Sequence, residues 1–176
     1  MIIKSLKLKN YRNYELLNMA FDSRTNILYG DNAQGKTNIL EALYLSGTTK
    51  SHRGTKDRDM IRFGEEESHI ETIVEKNGVD FQIDMHLKKN SPKGIAVNKI
   101  PIRKASELFG LIHFVFFSPE DLNIIKEGPA GRRRFVDLEL SQLDRVYLNN
   151  LANYNRAVNQ RNSLLKEIAY QEHLID

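Results

Sequence analysis

The chain contains no cysteine and no tryptophan, and only 4 prolines in 176 residues. The missing thiols exclude a disulfide framework and any thiolate metal centre. No stretch approaches the roughly 18 consecutive apolar residues that a membrane-spanning helix requires. Met1-Ile2-Ile3-Lys4 lacks the charged-then-apolar layout of a secretory leader, so none is expected, and no membrane partner either. Excess charge is also small: 26 Lys and Arg oppose 23 Asp and Glu, a net +3. That balance proves no polyanionic partner, so the placement of the cations decides. What is present is an ordinary globular composition, 40% hydrophobic and 28% charged. It excludes a disordered or collagen-like chain. A cytoplasmic protein is expected.

Apolar and lysine residues alternate over residues 2–9, which predicts a strand. After the polar Tyr11-Arg12-Asn13-Tyr14, residues 16–21 read as a second, antiparallel strand. The short apolar run 26–29 stops at Gly30 and predicts a buried strand. Helical spacing follows through Ile39, Leu40, Leu43 and Tyr44, ending near Gly47. Residues 50–64 are polar and basic, with a short helix expected at 57–63. Residues 68–75 and 79–87 flank Lys76-Asn77-Gly78, a strong hairpin signal, and 95–97 and 100–102 flank a second tight turn at Asn98-Lys99. Residues 113–117 predict another buried strand, with Phe114, Phe116 and Phe117 in the core. Ser118-Pro119-Glu120-Asp121 has the features of a helix start. From Arg132 to Leu174 there is neither Gly nor Pro, and helical periodicity predicts one long helix or two, with no closing cap at Asp176.

Gly30-Asp31-Asn32-Ala33-Gln34-Gly35-Lys36-Thr37 fits G-x-x-x-x-G-K-[ST]. Glycines let the backbone wrap phosphates with its amides. Lys36 adds a cation for the β- and γ-phosphates, and the Thr37 hydroxyl is placed to ligate Mg²⁺. The following helix, whose pattern starts at Gly35-Lys36-Thr37, turns its dipole toward the anion, and Asn38 is counted with the loop as nucleotide-binding. ATP and Mg²⁺ are the expected cofactors. Hydrolysis also needs an acid at the end of an apolar strand. No run of four apolar residues ending in Asp or Glu follows the loop. Leu140-Ser141-Gln142 lacks the glycines of an LSGGQ signature. The chain is therefore expected to be the N-terminal piece of a split ATPase, with no catalytic residue of its own and little hydrolysis.

The opening strand, Tyr11-Arg12-Asn13-Tyr14 and the run from Gly30 to Ala42 resemble the ATPase heads of the RecF and structural-maintenance-of-chromosomes families. Phe117-Ser118-Pro119-Glu120-Asp121-Leu122, Gly128-Pro129, Arg132-Arg133, Phe135-Val136-Asp137 and Gln160-Arg161-Asn162 resemble RecF specifically, with Glu127 as a departure. The resemblance implies an α/β P-loop NTPase lobe of the ABC/SMC type over residues 1–126, with a mixed sheet and antiparallel hairpins. A helical arm segment would occupy 127–176. It implies ATP-driven homodimerisation of a full-length protein, and binding to double-stranded DNA and single/double-strand junctions. It also implies work with RecR and RecO in loading RecA at gaps. The alternatives are a chromosome-structural SMC-like head and a small-molecule P-loop kinase.

In similar heads, residues at the place of Arg12 and Asn13 reach nucleotide phosphates; the alternative is an ordinary polar turn. Lys50, Arg53, Lys56 and Arg58 form a basic loop, and Arg53 best matches a DNA-sensing arginine of a related family. A solvated basic surface is the alternative. Arg132, Arg133 and Arg134 sit where cations oppose a helix dipole, which favours a DNA or partner contact over pairing with Glu127 or Asp137. Tyr147 and Tyr154 lie two turns apart on a face expected to pack a partner helix. Without that partner, the helix would expose an apolar stripe.

Overall fold

Alternation along the first strand builds the platform for everything else. The computed structural model describes residues 1–104, 107–109, 111–126 and 128–168. They fall into two compact units, Met1–Phe117 and Ser118–Asp176. This division precedes the boundary expected after Lys126.

In the first unit, β1 (Ile2–Tyr11) buries Leu6, Leu8 and Tyr11 and turns Lys7 and Lys9 to solvent. It lies between β2 (Tyr14–Ala20) and β3 (Glu67–Lys76). β4 (Val79–Lys88), β5 (Gly94–Val97) and β6 (Ile100–Pro101) complete the order β2-β1-β3-β4-β5-β6. Register follows the period of two: Leu8 faces Ile70, Ile70 faces Met85, and Thr72 faces Ile83. The two predicted hairpins form. Asn77 and Gly78 take φ of 54° and 77°, and Asn98 and Lys99 take 50° and 66°. Paired left-handed residues suit the twist of a tight hairpin. Every strand pairing in this sheet is antiparallel. The mixed sheet expected from sequence is thus an antiparallel one among the described residues. An isolated parallel bridge joins Phe109 and Ile112.

α1 (Lys36–Thr48) packs its residues Ile39, Ala42, Leu43 and Leu45 into the core formed with Leu6, Ile70, Ile83, Met85 and Leu87. Ser46 Oγ lies 2.8 Å from Thr72 Oγ1, so the polar pair within this layer is satisfied. Gly47 has a steric reason to be glycine. A Cβ there would sit 2.1 Å from the Phe114 ring.

Two expected buried strands do not form. Residues 26–29 pair with no strand, and Tyr29 is 90% exposed. Residues 113–117 are likewise irregular, with Val115 and Phe117 exposed. A run of apolar residues becomes a strand only where neighbouring strands accept its backbone groups. Among the described residues neither segment has such a ladder. Asn26 instead closes a local loop with Asp22, accepting its N–H at 2.8 Å. Of the expected aromatic core residues, Phe114 packs on the core and Phe116 stacks near Tyr44 and His52, while Phe117 is exposed.

In the second unit, Pro119–Leu122 form a 3-10 turn leading to α2 (Asn123–Lys126). Its entry is closed by the Ser118 N–H donating to the Asp121 carboxylate at 2.6 Å. α3 (Pro129–Leu143) starts with proline in its first turn and α4 (Arg145–Ile168) follows directly. The periodic stretch is therefore two helices, broken at Asp144. Leu140, Ser141 and Gln142 lie inside α3, consistent with rejecting a signature loop there. Asp137 accepts from the Tyr147 hydroxyl at 2.5 Å. α4 buries no residue, and Val146, Tyr154, Leu164 and Leu165 are exposed. Glu127 and the expected continuation from 169 to Leu174 and Asp176 lie outside the described residues.

Gly47→Ala should destabilise the protein by roughly 1–3 kcal/mol, despite the better helix propensity of alanine. A thermal melt checks this; a stability gain would show that Phe114 does not occupy that space.

Candidate nucleotide-binding site

The loop from Gly30 to Gly35 enters α1 with left-handed steps at Ala33 (φ 64°) and Gly35 (φ 99°). Such steps make a concave, amide-lined loop. The first turn of α1 leaves its own amides outside the helical ladder. Gly35 is required twice over. Its φ disfavours a side chain, and a Cβ would lie 2.6 Å from Asn13 Nδ2 and 2.7 Å from the Tyr14 hydroxyl. Lys36 Nζ reaches back across the loop to the carbonyls of Gly30 at 2.6 Å and Asp31 at 2.5 Å. Thr37 is exposed on the first turn.

The turn between β1 and β2 braces this loop. Asn13 Nδ2 donates to the Gln34 carbonyl at 3.2 Å, and Asn38 Nδ2 donates to Asn13 Oδ1 at 2.9 Å. Arg53 Nη1 approaches Asn38 Oδ1 at 3.5 Å. The structure thus brings Asn13, Gly30–Asn38 and Arg53 together. Arg12 directs its donors elsewhere. Its Nε and Nη2 hold Glu41 at 2.9 and 2.8 Å, Nη2 also meets Thr55 Oγ1, and Nη1 meets the Asp59 carbonyl. These bonds fix the turn beside the loop.

Glu41, on α1, is 0% exposed. It also accepts from Ser51 Oγ at 2.5 Å. Burial pushes its carboxyl pKa up, but the hydrogen bonds from Arg12 and Ser51 and the nearby positive charge outweigh this and hold it below the ordinary value. Burial likewise drives Tyr11 upward. Sequence reading missed Glu41; its signal was an acid placed among Ile39, Ala42 and Leu43 on the apolar stretch of the helix.

The basic loop is pinned, not loose. Ser51 anchors its start on Glu41. Lys93, from the connection between β4 and β5, donates to the Thr49 carbonyl and to Asp57 at 2.9 Å. Met60 and Ile61 are buried, and the Arg12 N–H donates to the Met60 carbonyl at 2.8 Å. Lys50, Arg53, Lys56 and Arg58 project as exposed cations from this fixed backbone. Lys93 had no local sequence signal, because its partners lie 44 and 36 residues away. The His52 ring packs on Phe116 at 4.3 Å between centroids. Arg132, Arg133 and Arg134 lie exposed on α3 in the second unit. Arg132 Nη1 donates to the Ile124 carbonyl at 3.4 Å.

For a divalent cation, the described residues offer no cluster of three His or acidic side chains. The exposed Thr37 hydroxyl is a suitable hard oxygen donor for Mg²⁺, with the remaining ligands expected from nucleotide phosphates and water.

A glycine-rich loop seated on a helix N-terminus, beside an antiparallel sheet, defines the class. A family model described as "AAA ATPase domain" matches residues 1–176, and the chain belongs to that family. It is similar in particular to RecF proteins. It is 70% identical over 176 residues to DNA replication and repair protein RecF of Agathobacter rectalis, covering 100% of this chain and 49% of that protein. A solved structure of the recombination mediator protein RecF with ATP in the RecFOR pathway superposes with a TM-score of 0.92 at 37% identity. That match covers 97% of this chain and 46% of the other. A structure from work on ATP-driven dimerisation of SMC ATPases shares the fold at 17% identity, with a TM-score of 0.61 over 82% of this chain and 100% of that one. The chain spans about half the length of the curated relatives it matches. No helix among the described residues is long and apolar enough to cross a membrane.

Because its pKa is lowered, Glu41 contributes stability in full above the ordinary value of 4.5. That contribution is lost as pH falls through the lowered value. Glu41→Gln should cost roughly 3 kcal/mol at pH 7, and the gap to the parent should narrow in strong acid. Urea unfolding at the two pH values checks this; an equal gap at both would remove the ion pair as the cause.

Proposed function

We propose that this chain is the nucleotide-binding portion of a RecF-type protein of DNA replication and repair. The observation that carries the reading is the braced loop of residues 30–37 at the start of α1, with Lys36 and Thr37 at its mouth. In this reading the loop amides and Lys36 hold the phosphates of ATP, and Thr37 joins phosphate oxygens around Mg²⁺. Bound ATP brings two full-length heads together. The relatives' name and the RecF–ATP structure support this choice over a chromosome-structural head, for which the support is fold alone.

The same reading assigns duplex DNA and single/double-strand junctions to the pinned cations Lys50, Arg53, Lys56 and Arg58, and to Arg132–Arg134 of the second unit. Cations on an anchored segment suit a phosphate backbone, because little loop ordering remains to oppose binding. RecR, together with RecO, would be the protein partner in loading RecA. The domain division into an ATP-binding lobe and the start of a helical arm belongs to the same proposal.

Lys36→Ala should weaken Mg-ATP binding at least about tenfold, the scale of a charge-assisted hydrogen bond. Titration calorimetry on parent and variant decides this, and equal affinities would sink the phosphate-loop reading. Arg53→Ala with Lys56→Ala should weaken duplex binding and lower the slope of log K against log salt by about 2. An unchanged slope in a fluorescence-anisotropy series would return these two side chains to ordinary surface.

A further inference from the structure

Phe63 is fully exposed, although a ring of that size gains most from burial. It does not sit on a loose tip. Just before it, Met60 and Ile61 are buried, and the Arg62 N–H donates to the Asn10 carbonyl at 2.8 Å. Just after it, Gly64 takes φ of 90° and the Glu65 N–H donates to the Arg62 carbonyl at 3.0 Å. The fold therefore presents the ring outward on a fixed backbone.

The ring lines an open hollow of about 840 Å³ with Arg58, Arg62, Lys89, Asn13 and Asn38 among the other walls. Three cations thus border the same hollow as the aromatic side chain. Their partners are exposed carboxylates: Asp59 for Arg58 at 3.5 Å, Glu15 for Arg62 at 3.3 Å and Glu66 for Lys89 at 2.8 Å. Exposed pairs of this kind are worth about 0–1 kcal/mol, so a phosphate can displace them. Asn13 and Asn38 are the residues that brace the phosphate loop, and they make the hollow continuous with it. An aromatic face beside cations and amides is the chemistry that holds a nucleobase and its phosphate.

We propose that Phe63 is a stacking platform for a nucleobase. The proposal rests on the reading that residues 30–37 hold phosphates. Two sources carry this chemistry: the base of the nucleotide on that loop, and an unpaired base of a nucleic-acid strand.

The chain has no tryptophan, so Phe63→Trp installs a single indole at the site. Its emission should be quenched by Mg-ATP or by a single-stranded oligonucleotide, and not by Mg-tripolyphosphate, which has no base. Phe63→Ala should weaken the quenching ligand roughly tenfold and leave tripolyphosphate affinity unchanged, while Phe63→Tyr restores binding. A loss confined to ATP assigns the nucleotide base; a loss confined to the oligonucleotide assigns the strand. If Phe63→Ala binds both as the parent does and the indole responds to neither, the proposal is overturned, even where tripolyphosphate binding upholds the phosphate loop. If the parent binds neither ATP nor tripolyphosphate, the loop reading falls and this proposal with it.

Discussion

The buried pair between Glu41 and Arg12 holds the site together. A carboxylate at 0% exposure is costly unless it is paired and hydrogen-bonded. Arg12 supplies two parallel donors, and Ser51 supplies a third to the Oε1 that Arg12 Nη2 also holds. Through these contacts the turn after β1, the helix after the phosphate loop and the basic segment share one anchor. Arg12 adopts φ of 53° to reach it, a conformation few non-glycine residues take. The geometry of the loop and of the cations beside it therefore depends on one internal charge.

The sheet sets where that anchor can be. Its alternating residues give α1 an apolar seat, and α1 then carries the loop at one end and the basic segment at the other. Lys93 ties the far end by joining the helix C-terminus to Asp57, where a cation also suits the helix dipole. Cations on a backbone held at both ends form a built surface, which distinguishes them from the arginines and lysines scattered over the rest of the chain.

What was legible in the sequence was local. Hairpins at Asn77-Gly78 and Asn98-Lys99, the helix from Lys36 and the phosphate-loop motif each follow from neighbours a few residues apart. The failures have one cause. Residues 26–29 and 113–117 read as buried strands because of their apolar runs, yet a strand also needs a ladder, and no described strand supplies one. With relatives about twice as long, such segments cannot be judged from apolar character alone. The same limit hid the contact between Arg12 and Glu41, which lie 29 residues apart in the chain.

The sequence by itself determined the motif: two glycines flanking four residues, a lysine and a threonine after them, and basic residues grouped nearby. It also determined the family, since the AAA ATPase domain model matches residues 1–176 and a RecF protein is 70% identical over that length. Only the tertiary structure decided that the basic segment is anchored at both ends. It also decided that an acid inside α1 organises it, and that Phe63 faces outward beside the loop. Those outcomes depend on contacts between residues tens of positions apart, and close packing, not sequence neighbourhood, brings such residues together.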